Sequence, residues 1–524
     1  MAFSLGLQDW GAILLATGVF LYLKNNRRRS NYPLPPSPKG RLPVLGHALQ
    51  FPTNHGWTTF ERWGNELNSD IIYLDAAGAD VMVVNSYQII RDLFDSRSSI
   101  YSGRSTFPMV NELMGYDWTM PTLQYNSKWK AQRRIFSKFF SASNPSAYQP
   151  RITEFVGLLL PKLLDNPEDF IAHIKHMVGA TVTSLAYGIK VQPTNDPNLR
   201  LAQDSLDSVL EAFIPGKYLV DQIPALKHLP EWLPGTGFLQ DAKRGRETMV
   251  RLLELPFADA ERQIANGTAR PALVSMVLDD VREMTDPEEI EYTVRQCKEL
   301  AAVFFGAGYD TTHATIINFF LAMVHHPEVQ AKARSEIDRV VGFDRLPAFS
   351  DEEHLPYLRA VMKEVLRWRP VSAIGLPHMS SQEDVYDGYF IPENTLIIPN
   401  QRGMLFDPET YPNPTEFKPE RFLSADGKSL NPAVRDPQTI AFGFGRRMCP
   451  GFHIATAELF LAAASILATF ELSKAKDEAG NIIEPSLDVS AGITSHPLPF
   501  KCVIKPCSKK AEVLIYTNAT QYDA

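Results

Sequence analysis

The chain opens on a mostly apolar stretch from Leu5, unbroken from Trp10 to Leu23, which ends abruptly in Lys24, Arg27, Arg28 and Arg29. A bilayer span needs roughly 20 apolar residues, so this stretch with its flanks is long enough for one crossing. The basic cluster marks its C-terminal side as cytosolic. No small-residue cleavage site follows, so residues 1–29 are expected to remain as a membrane anchor with a basic flank. Pro33, Pro35, Pro36 and Pro38 then predict a stiff, extended linker over 30–40. Beyond it the pattern becomes that of one globular region, 41–524. Ile71-Ile72-Tyr73-Leu74, a turn at Gly78 and Val81-Met82-Val83-Val84 predict two antiparallel strands. From about Pro150 to Ile290 the periodicity is helical, broken by loops. Pro215-Gly216, Pro224, Pro230 and Pro234-Gly235 crowd one irregular connection, read equally as a plain surface loop or as a membrane-facing or substrate-access loop. Glu291–His326 predicts a long helix, apolar around most of its circumference and therefore central. Leu355–Trp368 is a further amphipathic helix, and Tyr386–Pro399 reads as short strands and turns. A helix follows Cys449 to about Phe470, and the last fifty residues read as short strands and loops. The expected fold class is mainly α with small β-sheets.

Composition narrows this picture without redirecting it. The 524 residues are 44% hydrophobic and 21% charged, with a net charge of -8, which argues against a general nucleic-acid binder. The four cysteines, Cys297, Cys449, Cys502 and Cys507, form neither a disulfide framework nor a zinc pattern, so a reducing compartment fits. Asn266-Gly267-Thr268 and Asn518-Ala519-Thr520 match the glycosylation pattern, which matters only for a lumenal domain.

The candidate chemistry concentrates in Phe442-Gly443-Phe444-Gly445-Arg446-Arg447-Met448-Cys449-Pro450-Gly451. Glycines let this backbone approach something flat, and a cysteine just ahead of a helix is favoured as thiolate by the exposed amides and the helix field. A thiolate backed by arginines suits an axial ligand for an iron whose macrocycle carries anionic side groups. Glu364 and Arg367 stand three apart on one helical face. Ala307-Gly308-Tyr309-Asp310-Thr311-Thr312 breaks an otherwise apolar helix with small and polar residues, and a Thr hydroxyl there can bond its own i−4 carbonyl or turn toward a ligand.

Together, the anchor, the long apolar helix, the Glu-x-x-Arg pair and the glycine-rich cysteine loop make the chain resemble a membrane-bound eukaryotic cytochrome P450 over essentially its whole length, in the flavour of fungal secondary-metabolism members. The resemblance implies the P450 fold and heme b (iron protoporphyrin IX), with Cys449 as the iron ligand. It implies that Phe442 and Gly443 shape the ligand loop and that Arg447 pairs with a heme propionate. Trp129, Arg133 and His378 are expected to reach the propionates as well, with Tyr125 a weaker candidate. Glu364, Arg367 and Arg421, the last within Pro419-Glu420-Arg421-Phe422, are expected to form a structural ionic lock. Asp310 and Thr311 are expected to deliver protons, with Thr312 secondary. Phe107, Val110, Phe304, Ala373, Ile374, Gly375 and Leu376 are candidates for lining an apolar pocket.

The reaction so implied inserts one oxygen atom from O2 into an apolar small organic substrate. No flavin or nicotinamide fingerprint occurs in the chain, so NADPH is expected to act indirectly, through a separate NADPH–cytochrome P450 reductase. Lys130, Arg134, Lys138 and Arg446 are candidates for its acidic surface. The expected location is the endoplasmic reticulum membrane, single-pass, with the catalytic region cytosolic. Two other readings stand beside this one. A P450-fold dehydratase or isomerase often departs from the acid–Thr pattern that is intact here. A non-catalytic heme-binding membrane protein would tolerate its loss.

Overall fold

The computed structural model describes residues 31–522 apart from Pro215 and Ala491. The anchor expected over residues 1–29 lies outside the described residues. The chain divides into two compact units, one of residues up to 105 together with 374–404, the other of 106–373 together with 405–524.

In the smaller unit, α1 (Gly56–Leu67) buries Trp57, Phe60 and Trp63 along one face. Phe60 and Trp63 pack onto Ile72, Leu74, Val81, Val83 and Ile398 of a four-stranded sheet. Strands β1 (Ile71–Ala76) and β2 (Ala79–Val84) pair antiparallel with Ile71 opposite Val84, as their alternation predicts. Their connection turns through Ala77 and Gly78 at φ 53 and 90, the left-handed geometry that a tight hairpin requires. The sheet is completed by β3 (His378–Met379) and β6 (Leu396–Pro399), in the order β1-β2-β6-β3. β4 (Asp384–Tyr386) and β5 (Tyr389–Ile391) make a separate hairpin. The proline-rich segment is more than a spacer. Tyr73 N donates to Pro36 O at 2.9 Å, Ser37 Oγ to Tyr73 O at 2.8 Å, and Phe390 N to Pro33 O at 2.8 Å, so the segment is tied to the sheets.

The larger unit is mostly helical. Its longer helices are α2 (Ser127–Phe139), α3 (Gln149–Asp165), α4 (Phe170–Tyr187), α5 (Pro197–Ala212), α6 (Gly237–Ala265), α7 (Leu273–Arg282), α8 (Pro287–His325), α9 (Pro327–Val341), α10 (Pro356–Trp368), α11 (Phe452–Thr469) and α12 (Lys509–Ala519). β7 (Phe470–Lys474) and β8 (Cys502–Pro506) pair antiparallel. The central helix is α8, at 39 residues. Asp286 caps it by accepting from Glu288 N, Pro287 occupies the first turn, and Glu288 and Glu289 face its dipole. Glycines bring it close to α4: a Cβ on Gly308 would lie 3.0 Å from Val182, and one on Gly179 2.8 Å from the Tyr309 ring. Among the described residues one helix, α11, is long and apolar enough to cross a membrane, but 67% of it is buried within the protein, as befits a core helix.

One expectation changes. The last fifty residues hold a helix, α12, where only strands and loops were expected. Phe304, a candidate for lining a pocket, is buried within an aromatic cluster. Its ring packs against Phe136 at 5.1 Å and Phe140 at 5.2 Å, and only 8% of the residue is exposed.

Candidate active site

The cysteine loop is shaped by its own backbone. Gly443 and Gly445 take φ 78 and 53, which side chains resist, and Cys449 N donates to Phe442 O at 2.8 Å to close the loop. The Phe442 ring lies 6.0 Å from Phe452, at the first turn of α11. Cys449 thus sits at the mouth of that helix, as the sequence implied. Burial pushes its thiol up, opposed by the Gly451 amide and the Arg133 charge. Those two contacts favour the thiolate but do not by themselves outweigh burial. Full ionisation here calls for a cation at the sulfur.

The first turns of α2 face this loop. Asn126 caps the helix by accepting from Trp129 N at 2.9 Å. Arg133 Nη1 donates to Met448 O at 2.7 Å, and Arg447 Nη2 donates to Leu123 O at 2.7 Å. The Trp129 ring is flanked by both guanidiniums, Arg133 at 5.5 Å and Arg447 at 4.8 Å. Burial and the neighbouring Arg133 lower Arg447 to about 10. Burial likewise lowers Arg133, while Cys449 raises it. Two like charges gathered in one half-buried place suit anionic groups. Tyr125 lies beside the same group, where it raises Arg447. Its ring lies under Lys130 at 4.9 Å and Arg446 at 4.8 Å and so joins α2 to the loop.

α2 is also tied to α8 through a residue that the sequence did not single out. Glu299, 3% exposed, accepts from Lys128 Nζ at 2.9 Å, Gln132 Nε2 at 3.0 Å and Arg295 Nε at 3.2 Å. Lys128 and Gln132 lie one turn apart, on a face adjoining Trp129 and Arg133. A buried carboxylate with three donors is a firm anchor for that face.

Along the middle of α8, Ala307 is exposed and Thr311 half-exposed, one turn apart in a helix mostly buried from Gln296 to Val324. This face therefore looks into open space. The Thr311 hydroxyl donates to Ala307 O at 2.9 Å, the local bonding that loosens a helix. Asp310, 7% exposed, points elsewhere and pairs with His496 Nε2 at 3.2 Å. Burial raises its pKa. The His496 hydrogen bond and charge, the Thr494 hydroxyl and His313 together outweigh burial, so it lies below the ordinary carboxylate value.

The ionic lock is present as a group. Glu364 takes Arg367 Nε at 2.6 Å and Nη2 at 2.9 Å, Arg421 Nε at 3.2 Å and Lys418 N at 2.7 Å. His378 belongs to the smaller unit, where its Nδ1 lies 2.7 Å from Tyr101 O and its ring stacks on Phe94 at 3.8 Å. Arg446, Lys130 and Arg134 are exposed, whereas Lys138 is already paired with Asp280.

These residues fit an iron porphyrin. One thiol faces the helix mouth, and two guanidiniums match two carboxylates. At Gly443 a Cβ would meet nothing nearer than Arg447 O at 3.9 Å, which leaves room against a flat ring.

Residues 35–503 match the cytochrome P450 family. A cytochrome P450 monooxygenase of Rhodocybe pseudopiperita, ple1, is 43% identical over 97% of this chain and 95% of its own length. Cytochrome P450 monooxygenase 98 of Postia placenta is 38% identical over 96% of each chain. Tryptamine 4-monooxygenase of Psilocybe cyanescens is 37% identical over 93% of this chain and 95% of its own.

Proposed function

The chain belongs to the cytochrome P450 family and is a monooxygenase of it, and on that premise we propose that Cys449 ligates its heme iron and that Asp310 and Thr311 supply the protons of its reaction. As a member it uses a heme-thiolate cofactor, O2, an organic substrate and a redox partner. The observation that carries the site assignment is the convergence of Cys449, Arg133 and Arg447 around one loop.

The heme, when bound, supplies the electron-accepting and oxygen-activating chemistry. The chain's own residues do the rest. Cys449 offers an anionic sulfur, favoured by the Gly451 amide and the Arg133 charge. Arg133 and Arg447, braced on Trp129, hold carboxylates by charge-assisted hydrogen bonds. Ala307 keeps the open side of α8 thin, while Gly308 lets α8 approach α4. The Thr311 hydroxyl can leave the Ala307 carbonyl and donate toward that open face, and Asp310 behind it accepts and returns a proton. Glu364, Arg367 and Arg421 keep α10 and the 412–421 segment in place.

The substrate is a small apolar molecule of fungal secondary metabolism. Support comes from the side of α8 just before Ala307. There Ala302 and Val303 pack in an apolar cluster with Phe107, Met109, Val110, Met114 and Phe213. Residues 1–29 anchor the chain in the endoplasmic reticulum with its catalytic region cytosolic, which the apolar run and its basic flank support. The electron donor is NADPH–cytochrome P450 reductase, and the exposed Lys130, Arg134 and Arg446 form the docking surface. Microsomes holding the chain and the reductase, supplied with 18O2 and NADPH, should yield a product carrying one labelled oxygen atom. Product formed without the label, or without NADPH, would overturn the proposal.

A further inference from the structure

We propose that His496 is the positioning residue through which protons enter the site: it holds the Asp310 carboxylate from the C-terminal loop and hands it protons taken from solvent. The inference rests on the assignment of proton delivery to Asp310 and Thr311.

Asp310 and Thr311 are neighbours in sequence but stand about 100° apart on the helix, so they face different ways. Thr311 lies on the side that carries the exposed Ala307, whereas Asp310 is buried. Its Oδ2 meets His496 Nε2 at 3.2 Å, and the His496 side chain is 27% exposed. One ring therefore joins a buried acid to the outside. The loop that carries it is fixed. His496 N donates to Ser490 Oγ at 3.0 Å, Ser490 N to His496 O at 2.8 Å, and Ser495 N to Val371 O at 2.7 Å.

The groups facing Asp310 come from three directions. His496 and the Thr494 hydroxyl come from the loop, His313 from α8 itself, and Lys175 from α4. Lys175 also faces Asp207 of α5 and lies 5.5 Å from the centre of the Tyr309 ring. Neither of the other two bases can serve as the entry. His313 is 7% exposed, and burial, then Lys175 and His496, push it down to about 3, so it stays neutral. Lys175 is lowered by burial and held up by Asp310 and Asp207, so it is shared between two carboxylates, and no hydrogen bond joins it to Asp310. His496 is the histidine that touches Asp310 and also reaches the surface.

The transfer balances. Protonated His496 gives its Nε2 proton to Asp310 Oδ2 and becomes neutral. Asp310, now neutral, passes the proton toward the Thr311 hydroxyl and the oxygen being reduced, and returns to carboxylate. His496 then takes a proton from water. Two such passages serve one turnover, and the electrons come from the redox partner.

The test uses the full chain with its heme and reductase. His496→Gln keeps an amide donor but cannot titrate, and Thr311→Ala is the control. NADPH consumed, product and released hydrogen peroxide are measured from pH 6 to 8.5, with heme content and thermal melting followed alongside. Wild type should make less product per NADPH as pH rises through the imidazole range. H496Q should keep its heme, lose the pH dependence, and make about tenfold less product per NADPH with more peroxide, short of the ~100- to 10,000-fold that positioned proton transfer supplies because water partly replaces the ring. A readout independent of turnover is the melting temperature of D310N, H496Q and the double variant, whose losses should not add, because the two residues are in contact. Wild-type-like coupling in H496Q while T311A is uncoupled would overturn the role of His496 alone. Unchanged coupling in T311A as well would bring down the Asp310–Thr311 assignment. Should H496Q lose heme, the wild-type pH profile and His496→Asn decide, and a flat wild-type profile rejects the inference.

Discussion

Replacing Glu364 by Ala tests whether the buried ion group holds the larger unit together. Glu364 and Arg367 have fully buried side chains, and the Arg421 side chain is 6% exposed. The carboxylate takes four hydrogen bonds: two from Arg367, one from Arg421 and one from the Lys418 amide. Removing it leaves two guanidiniums and an amide facing a cavity. Breaking a buried ion group by deleting one partner costs about 3–5 kcal/mol. Arg367 keeps carbonyl partners at Leu405, Pro414 and Glu416, and Arg421 keeps Pro412 and Glu416, which softens the loss. We therefore expect about 4 kcal/mol for E364A. R421A leaves the Glu364–Arg367 pair intact and removes the charged bond to Glu364 together with three bonds to the carbonyls of Pro412, Asn413 and Glu416, which are exposed and can take water instead, so about 2 kcal/mol is expected. Against a total stability of about 5–15 kcal/mol, the first is severe and the second tolerable. Urea titrations followed by fluorescence, fitted with a common slope, give both values, and heme content is measured in parallel. A loss below about 1 kcal/mol for E364A, or a larger loss for R421A than for E364A, would refute the hub role of this carboxylate.

Other predictions follow from single contacts. Arg133→Ala removes the bond to Met448 O and the charge beside Cys449. Heme transfer to an excess of apomyoglobin should speed up about tenfold, the equivalent of roughly 1.4 kcal/mol, and an unchanged rate would count against the residue. Glu458 is buried on α11, and burial raises it to about 8 from 4.5, with Thr181 opposing. The folded protein thus keeps a proton that the unfolded chain releases above about pH 4.5, and stability drains away by about 1.4 kcal/mol per pH unit up to about pH 8. Glu458→Gln should therefore raise the melting temperature more at pH 7.5 than at pH 5, and a pH-independent difference would refute the argument. Protease added to sealed microsomes should digest the catalytic region. Protection of that region, or sugar on Asn266 or Asn518, would contradict a cytosolic placement.

What the sequence revealed follows from how local each signal is. The long run from Pro287 to His325, the hairpin through Gly78 and the glycine-flanked Cys449 are contiguous patterns that each fix their own geometry. Glu364 and Arg367 were legible because three residues is one helical turn. Arg421 was legible only through family resemblance, since nothing in its own neighbourhood points to a carboxylate 57 residues away. His496 and Glu299 were missed for that same reason: their partners are brought together by folding across long separations. The helix Lys509–Ala519 was missed for a different one. Val513, Ile515, Tyr516 and Thr517 read as strand, while Ser508, which caps the helix by accepting from Ala511 N, was the signal to the contrary. Phe304 shows the limit of reading apolar residues. Nothing in the sequence tells a pocket wall from a core contact, and nothing in it foretold the packing of this ring on Phe136 and Phe140.

The most direct test of the account is the carbon monoxide spectrum of the reduced protein, wild type beside Cys449→Ala, both expressed at full length in microsomes. Wild type should show the long-wavelength Soret band of thiolate-ligated heme, and C449A should lack it and turn over no substrate. A C449A protein that kept the thiolate band and its activity would contradict the assignment of Cys449, and with it the reading of the site.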